Sequence, residues 1–326
     1  MPQKTSLVIT TLNEALTIEL LLNALLKQTR QPDQVIIVDG GSGDKTVQII
    51  QQFLKNNRSH PVAKNFVLKI LKNSNRATAR NWAITQSRHS LIAITDAGCI
   101  PQPSWLEKLL KTYQDTQAPI IGGFFFGLPE SSFEQAVVAY TLQMPDKINP
   151  KTFMPTTRSV LITKTAWQKL EGFNTALSKN EDYDFFYRAR LHNIPIAFAK
   201  EALVGWIPRH NWAQFIKMIY NFAQGDLEAG IIRPKVKLLF GRYFLVILAI
   251  AWLVFFRGMS FTNLLPALLF WLGVYLLWAI YKNVRYAPQG WYYLPMMQLV
   301  ADFAVMAGSV VGLINRYQSQ SSGSST

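Results

Sequence analysis

Three long apolar runs dominate the C-terminal part of the chain, at about residues 238–256, 260–281 and 291–314. Each is close to or above the ~20 residues that a helix needs to cross the hydrocarbon core of a bilayer. The sequence therefore predicts a membrane region over residues 233–317 with three transmembrane helices. A disordered Ser/Gly-rich tail is expected to follow at residues 318–326.

The charge distribution separates this region from the rest of the chain. The formal net charge is +14, but from residue 233 onward eight basic residues face a single acid, Asp302. The basic residues at the edges of the apolar runs are Arg233, Lys235, Lys237, Lys282 and Arg285. This placement favours an anionic membrane surface, and not nucleic acid, as the partner of the excess charge. By the positive-inside rule we expect an integral, multi-pass membrane protein whose N-terminal domain is cytoplasmic, in agreement with the single cysteine, Cys99.

The first half of the chain alternates short apolar strands with helical patterns. Strands are predicted at residues 6–10, 34–39, 66–71 and 91–95, and helices at 18–28, 44–54 and 76–86. This alternation predicts an α/β fold in which helices flank a mostly parallel sheet. Ligands of such sheets bind outside the carboxyl ends of the strands. The residues at those ends are Thr10, Thr11, Asp39 and Asp96.

The turn after the second strand carries a candidate binding residue. Asp39 ends the strand and is followed by Gly-Gly-Ser-Gly-Asp at residues 40–44. Such a turn can bring a carboxylate to a base or ribose while backbone amides face the ligand. The alternative is a loop that only caps the next helix, through Ser42 or Asp44. A dinucleotide site is disfavoured because the turn does not follow the G-x-G-x-x-G pattern.

Five segments resemble, in sequence order, motifs of glycosyltransferase family 2. They are Thr-Thr-Leu-Asn-Glu at 10–14, Val-Asp-Gly-Gly-Ser-Gly-Asp-Lys-Thr at 38–46, Asn-Arg-Ala-Thr-Ala-Arg-Asn at 75–81, Thr-Asp-Ala-Gly at 95–98, and Gly172-Phe173 with Glu181-Asp182. The resemblance covers about residues 6–230 and implies the Rossmann-like, nucleotide-sugar-binding fold called GT-A. It implies a catalytic domain at residues 1–232. Within it, residues 208–232 form either an amphipathic helix at the membrane interface or a helix packed on the domain.

The resemblance also implies roles for individual residues. The donor nucleotide is expected to contact Thr10, Thr11, Glu14, Asp39, Gly41, Ser42, Arg80 and Asp96. Asp182 is expected to be the general base that deprotonates the acceptor hydroxyl, and Glu181 to position the acceptor or the base. A divalent cation, Mg²⁺ or Mn²⁺, is expected to bridge the donor phosphates, held by Asp96 and His210.

One departure from the family pattern concerns this cation. The second acid of the Asp-x-Asp metal motif is Gly98 here. Either Asp96, His210 and the diphosphate still hold the cation, or Arg and Lys side chains offset the phosphate charge in its place. His210 has a second interpretation, as an interfacial residue beside Arg209 and Trp212.

The implied activity is inverting transfer of a hexose from a nucleoside-diphosphate sugar to a hydroxyl of a lipid or lipid-linked saccharide. A sugar nucleotidyltransferase stays open but is disfavoured, because residues 10–14 lack a Gly-rich basic phosphate loop. A non-catalytic nucleotide-sugar-binding membrane protein is supported by Gly98 and opposed by Glu181-Asp182. A processive synthase is disfavoured because residues 221–226 lack a Gln-x-x-Arg-Trp signature. Asp302, inside the third apolar run, is expected to pair with Arg242 or to approach an acceptor head group.

Overall fold

The computed structural model describes residues 3–61, 63–150 and 152–323, which fall into two compact units. The first unit lies within residues 1–128 and 144–207, and the second within 129–143 and 208–326. This division differs from the predicted boundary at residue 232. The segment at 208–232 clusters with the apolar C-terminal helices, and so does an excursion of the chain at 129–143.

The first unit is built on a sheet that has eight strands over the described residues. In chain order they are β1 (Thr5–Thr11), β2 (Gln34–Asp39), β3 (Phe66–Ile70), β4 (Leu91–Asp96), β5 (Cys99–Pro101), β6 (Ile120–Gly127), β7 (Val160–Thr163) and β8 (Ile196–Trp206). Their order in the sheet is β3-β2-β1-β4-β7-β6-β8-β5. β1 pairs in parallel with β2 and β4, whereas β7 runs antiparallel to both of its neighbours. The predicted mostly parallel α/β sheet is confirmed, and β5 and β7 are additions that the sequence patterns did not indicate.

Helices of the first unit cover the sheet. They are α1 (Ile18–Leu26), α2 (Thr46–Asn56), α3 (Arg76–Thr85), α4 (Trp105–Thr116), α6 (Lys164–Lys169) and α7 (Glu181–Leu191), while α5 (Ser132–Thr141) belongs to the second unit. Strands β1 and β2 are buried along their whole length, which explains why their apolar runs do not alternate. Helix α7 buries Phe185 and Phe186 in the same core, where Phe173 stacks on Phe185 with ring centroids 4.4 Å apart. This packing fixes the start of α7 against the sheet.

The register of the central strands positions the predicted site residues. Thr11 is the partner of Asp39 across β1 and β2, and Thr10 is the partner of Asp96 across β1 and β4. Because these pairs are parallel, all four residues lie at the same carboxyl edge of the sheet. The predicted convergence of these strand ends is therefore a feature of the fold.

The second unit contains α5 and four longer helices. They are α8 (Trp212–Glu228), α9 (Pro234–Arg257), α10 (Phe261–Asn283) and α11 (Leu294–Gly323). Three stretches are long and apolar enough to cross a membrane, namely Pro234–Arg257, Thr262–Tyr286 and Trp291–Gln318. They match the three predicted apolar runs. Helix α11 continues to Gly323, residues 324–326 lie outside the described part of the chain, and the disorder of the tail at residues 318–326 stays a prediction.

Helix α8 packs along α11, and this contact explains why residues 208–232 join the second unit. A Cβ added to Gly308 would meet the carbonyl oxygen of Tyr220, and one added to Gly312 would meet that of Gln224. The two glycines are one helical turn apart, so they open a strip on α11 that lets the two backbones approach closely.

Asp302 of α11 joins the apolar helices to one another. Its carboxylate is buried and accepts hydrogen bonds from four side chains: Arg242 at 2.8 Å, Tyr243 at 3.1 Å, Tyr275 at 2.6 Å and Gln298 at 2.9 Å. The expected pairing with Arg242 is therefore present. A buried charge with this many partners is compensated within α9, α10 and α11.

Candidate active site

The loops that follow β1 and β2 are tied together at the carboxyl edge of the sheet. The backbone amide of Asn13 donates to Ser42 Oγ at 2.8 Å, and Asn13 Oδ1 accepts from the amide of Gly43 at 2.9 Å. Asn13 has a left-handed φ of 56°, a conformation that asparagine adopts more readily than most residues. These reciprocal bonds fix the two loops against each other at the carboxyl edge of the sheet.

Asp39 organises the second of these loops. It is fully buried, and its Oδ1 accepts from the amides of Gly41 at 2.9 Å and Ser42 at 2.8 Å, while Ser42 Oγ donates to Oδ2. Gly41 has φ +100°, and a Cβ there would lie 3.3 Å from the backbone of Lys72. The carboxylate therefore holds a turn that needs glycine. Its remaining lone pairs leave the donor-binding interpretation open.

A second set of contacts fixes the backbone at Glu14. Its amide donates to Thr46 Oγ1 at 2.8 Å, and the amide of Ala15 donates to Asp44 Oδ2 at 3.1 Å. The side-chain hydrogen bond from Thr46 holds the pKa of Asp44 below its ordinary value, so Asp44 stays ionised. Asp44 thus accepts from the amide of Thr46, the first residue of α2, and holds the first loop at the same time.

Arg80 lies at the centre of the acidic residues. It is 1% exposed, and its Nη1 donates to Glu181 Oε1 at 2.9 Å. Its Nη2 lies 3.2 Å from Thr157 Oγ1 and 3.4 Å from Asp96 Oδ1, and the guanidinium covers the Phe173 ring at 4.9 Å. Arg80 therefore orients two carboxylates, and the direct donor contact that the resemblance implies stays a prediction.

Glu181 and Asp182 are adjacent in sequence but differ in ionisation. Burial alone raises the pKa of Glu181, but the charges of Arg80 and Arg76 outweigh it and hold that pKa below its ordinary value. Asp182 is partly exposed, and its pKa is raised by burial and by the negative charges of Glu181 and Asp96. One carboxylate is therefore a fixed anion, and the other is a better proton acceptor than an ordinary aspartate.

Gly98, which stands where the Asp-x-Asp motif has its second acid, lies close to the carboxylate of Glu14. A Cβ added to Gly98 would lie 3.8 Å from Glu14 Oε2, which accepts a hydrogen bond from Thr17 Oγ1 at 2.7 Å. The side chain of Asp96 is 29% exposed at this edge. Within the described residues, no group of three or more His, Cys, Asp or Glu side chains is arranged to hold a metal ion.

His210 belongs to the second unit and has a partner there. Its Nδ1 lies 2.6 Å from Oε1 of the buried Glu134, whose other oxygen accepts from the amide of Glu130 at 2.7 Å. Burial raises the pKa of Glu134, but its hydrogen bonds outweigh burial and hold that pKa below its ordinary value. The carboxylate occupies Nδ1 and leaves Nε2 without a bond to it, an arrangement that both a metal ligand and an interfacial histidine can have, so the metal role of His210 stays a prediction.

Two residues that sequence reasoning did not identify belong to the first unit's site. Thr157 binds Arg80, and the Arg158 guanidinium lies over the rings of Phe125 at 4.7 Å and Trp206 at 5.4 Å. The signal that could have found them is a Thr-Arg-Ser segment immediately before the short apolar run that forms β7. Because the sequence did not predict a strand there, it could not place Thr157 and Arg158 at the end of a strand.

The chain resembles known proteins over this unit. It matches the family model described as Glycosyl transferase family 2 over residues 6–171, just over half of its 326 residues. Glycosyltransferase AglE of Haloferax volcanii is 24% identical over 234 residues, which cover 70% of this chain and 74% of that protein. Hyaluronan synthase of Streptococcus pyogenes is 30% identical over 96 residues, which cover 29% of this chain and only 22% of the synthase.

A solved structure extends the comparison to almost the whole chain. The mannosyltransferase PcManGT of Pyrobaculum calidifontis, in complex with GDP-Man and Mn²⁺, matches with a TM-score of 0.62 and covers 94% of this chain and 88% of its own. At 16% identity this likeness shows the fold, which is GT-A-like. The strand ends gathered at the carboxyl edge, the acids around Arg80 and the match over residues 6–171 lead to one assignment: the chain belongs to glycosyltransferase family 2.

Proposed function

We propose that this family 2 member transfers a hexose from a nucleoside-diphosphate sugar to a hydroxyl of a membrane-associated acceptor, a lipid or a lipid-linked saccharide. The observation that carries the proposal is the pair formed by Glu181, buried and bonded to Arg80, and Asp182, partly exposed with a raised pKa. A fixed anion beside a proton acceptor is the arrangement that general base catalysis needs. A nucleotide-sugar donor is supported by the family and by the GDP-Man complex of the structural neighbour.

The carboxyl edge of the sheet around the first two loops is the proposed donor nucleotide site. Thr11 Oγ1 is buried there and has no hydrogen-bond partner among the described residues, so a ligand can supply one. Asp39 keeps acceptor lone pairs beyond its three bonds within the turn, and the Glu14 carboxylate lies near Gly98 at the same edge of the sheet. These side chains would bind base and ribose, with Thr10, Gly41 and Ser42 shaping the wall.

The proposed reaction is a single in-line displacement. The acceptor oxygen forms a bond to the anomeric carbon as the bond from that carbon to the diphosphate breaks, and the electron pair leaves with the diphosphate. The acceptor proton passes to the Asp182 carboxylate, an assistance that is typically worth ~10²–10⁴-fold in rate. One displacement inverts the configuration at the anomeric carbon.

A divalent cation fits the acidic edge in part. Asp96 would hold it, and the Glu14 carboxylate lies near the position that Gly98 leaves without an acid. Cations such as Mg²⁺ often bind through one or two carboxylates together with substrate phosphates, so a third protein ligand is not required. When bound, the cation would neutralise charge on the departing diphosphate.

Activity is tested with the full chain in detergent and a panel of nucleotide sugars. We expect one donor to release nucleoside diphosphate, and mass spectrometry after incubation with a lipid extract to show a single added hexose. An Asp182→Asn variant that turns over at the wild-type rate would refute the proposed base. A nucleotidyltransferase would instead need pyrophosphate and release a nucleoside triphosphate, and a binding module would release nothing.

We also propose that the first unit is cytoplasmic and that the acceptor is reached at the membrane surface. Support comes from the basic residues before α9 and between α10 and α11. Cys99 is buried, so engineered cysteines can be labelled against a low background. With a membrane-impermeant maleimide, Ser260→Cys should react on intact cells and Gln289→Cys only after lysis; the opposite pattern would reverse the topology.

A further inference from the structure

The Arg158 guanidinium is held between two aromatic rings in the first unit. Its central carbon lies 4.7 Å from the centre of the Phe125 ring of β6 and 5.4 Å from that of Trp206 at the end of β8. The residue is only partly buried. Over the described residues its guanidinium contacts these ring faces and no carboxylate forms an ion pair with it. A stacked guanidinium loses little further freedom when it binds an anion, because its plane is already oriented.

The backbone at Arg158 is fixed from both sides. Its carbonyl oxygen accepts a hydrogen bond from Thr95 Oγ1 at 2.8 Å, one residue before Asp96. The preceding residue, Thr157, binds Arg80 at 3.2 Å. The following residue, Ser159, accepts from the indole of Trp105 at 2.8 Å. The segment is therefore attached to the acidic edge of the sheet and is not a free surface loop.

The Arg158 charge acts on the residues of the proposed reaction. Its positive charge lowers the pKa of Asp182, against the rise that burial causes. It also lowers the pKa of the thiol of Cys99, the residue after Gly98. Arg80, by contrast, is already engaged by Glu181. Arg158 is thus a cation near the general base and the metal motif whose hydrogen-bond donors are available to a ligand.

We propose that Arg158 binds the β-phosphate of the donor and takes up the charge that develops on it as the sugar leaves. The inference rests on the proposed function and adds a residue to it. A guanidinium offers paired donors to phosphate oxygens, and hydrogen bonds between ionised partners are about twice as strong as neutral ones. In the displacement, the electron pair of the broken bond ends on a β-phosphate oxygen, which is where Arg158 acts; no proton is transferred to or from it.

The test compares nucleotides that differ by one phosphate. Binding of GDP, UDP and ADP, each beside its monophosphate, is measured by titration calorimetry on the full chain in detergent. For the diphosphate that the wild type binds, we expect Arg158→Gln to weaken binding by about 10- to 100-fold. Binding of the matching monophosphate should change less than about 3-fold, and Arg158→Lys should restore part of the diphosphate affinity because it keeps the charge.

Controls separate the possible outcomes. Arg88→Gln removes the same charge from an exposed residue at the opposite, amino edge of the sheet, and it should bind as the wild type does. Equal weakening of monophosphate and diphosphate by Arg158→Gln would overturn the assignment to the β-phosphate, as would unchanged diphosphate binding. A wild type that binds no diphosphate but keeps its fold would instead refute the proposed function itself.

Discussion

Replacing Arg80 by methionine tests the buried pair that orders the site. Arg80 is 1% exposed and Glu181 is 2% exposed, and the bond between them is 2.9 Å long. Methionine fills much of the same volume without a charge, so the main effect is a buried carboxylate without its partner. Breaking a buried pair in this way typically costs about 3–5 kcal/mol.

A second arginine near Glu181 reduces the expected loss of stability to about 3 kcal/mol, the lower end of the range for breaking a buried pair. Arg76 Nε lies 3.9 Å from the same Glu181 oxygen, but its side chain is 56% exposed and therefore screened by solvent. It can replace only a part of the lost interaction. At about 3 kcal/mol, and about 2–4 °C per kcal/mol for a unit of this size, the melting temperature should fall by about 6–12 °C.

The pH dependence of this loss follows from the pKa of Glu181. In the wild type that pKa is lowered, so its stabilisation is present above the unfolded value of about 4.3 and is lost as the pH falls through the folded value. Without Arg80, burial is less opposed and raises the pKa of Glu181. Above about pH 4.3 the variant then carries the cost of a buried charge, and the difference from the wild type should shrink as the pH is lowered.

Tryptophan fluorescence during heating of the full chain in detergent measures both effects. The matched control is the double variant Arg80→Met/Glu181→Gln, which removes the buried charge together with its partner and should recover most of the loss. A single variant that melts within about 2 °C of the wild type would refute the reasoning, since a loss of about 3 kcal/mol should lower the melting temperature by about 6–12 °C. A double variant no more stable than the single one would do the same.

Three other perturbations test separate parts of the structure. Asp182→Asn should cut turnover by about 10²–10⁴-fold and raise the melting temperature, because a carboxylate with a raised pKa destabilises the fold at neutral pH. In the wild type, the acid limb of the pH–rate profile should lie above the ordinary aspartate value of about 3.9. Asp302→Leu should destabilise the second unit by about 3–5 kcal/mol, measured by heating in detergent, whereas Asp302→Asn should cost less. Gly308→Leu should cost about 1–3 kcal/mol by separating α8 from α11, whereas Gly273→Leu in open space should be neutral in the same assay.

The parts of the fold that repeat a simple pattern could be predicted from the sequence. β1 and β2 are continuous apolar runs because both faces of the parallel sheet are covered, and the acids after such runs must lie at its carboxyl edge. The apolar runs of α9, α10 and α11 follow from length and composition alone. Each of these inferences depends only on residues within one element.

The contacts that the sequence could not reveal join distant parts of the chain. Arg80 is separated from Glu181 by 101 positions, so no local pattern shows that it is buried against that acid. His210 meets Glu134 across 76 positions, and this separation hid the carboxylate partner of its ring. The short strand β7 carries no periodic signal, and Thr157 and Arg158 were missed with it.

Arg158 and Gly98 bear on the same electrostatic requirement, the positive charge that the departing diphosphate needs. One acid fewer in the metal motif weakens the attraction for a divalent cation, and it also lowers the repulsion that a bound diphosphate meets. A fixed guanidinium can then supply part of the charge. We therefore expect chelation to slow the wild type without stopping it, and chelation of Arg158→Gln to remove the remaining turnover. The assay is diphosphate release before and after treatment with EDTA and readdition of Mn²⁺. If EDTA stops the wild type completely, Arg158 does not share this task with the cation; if EDTA affects neither protein, the cation takes no part in it.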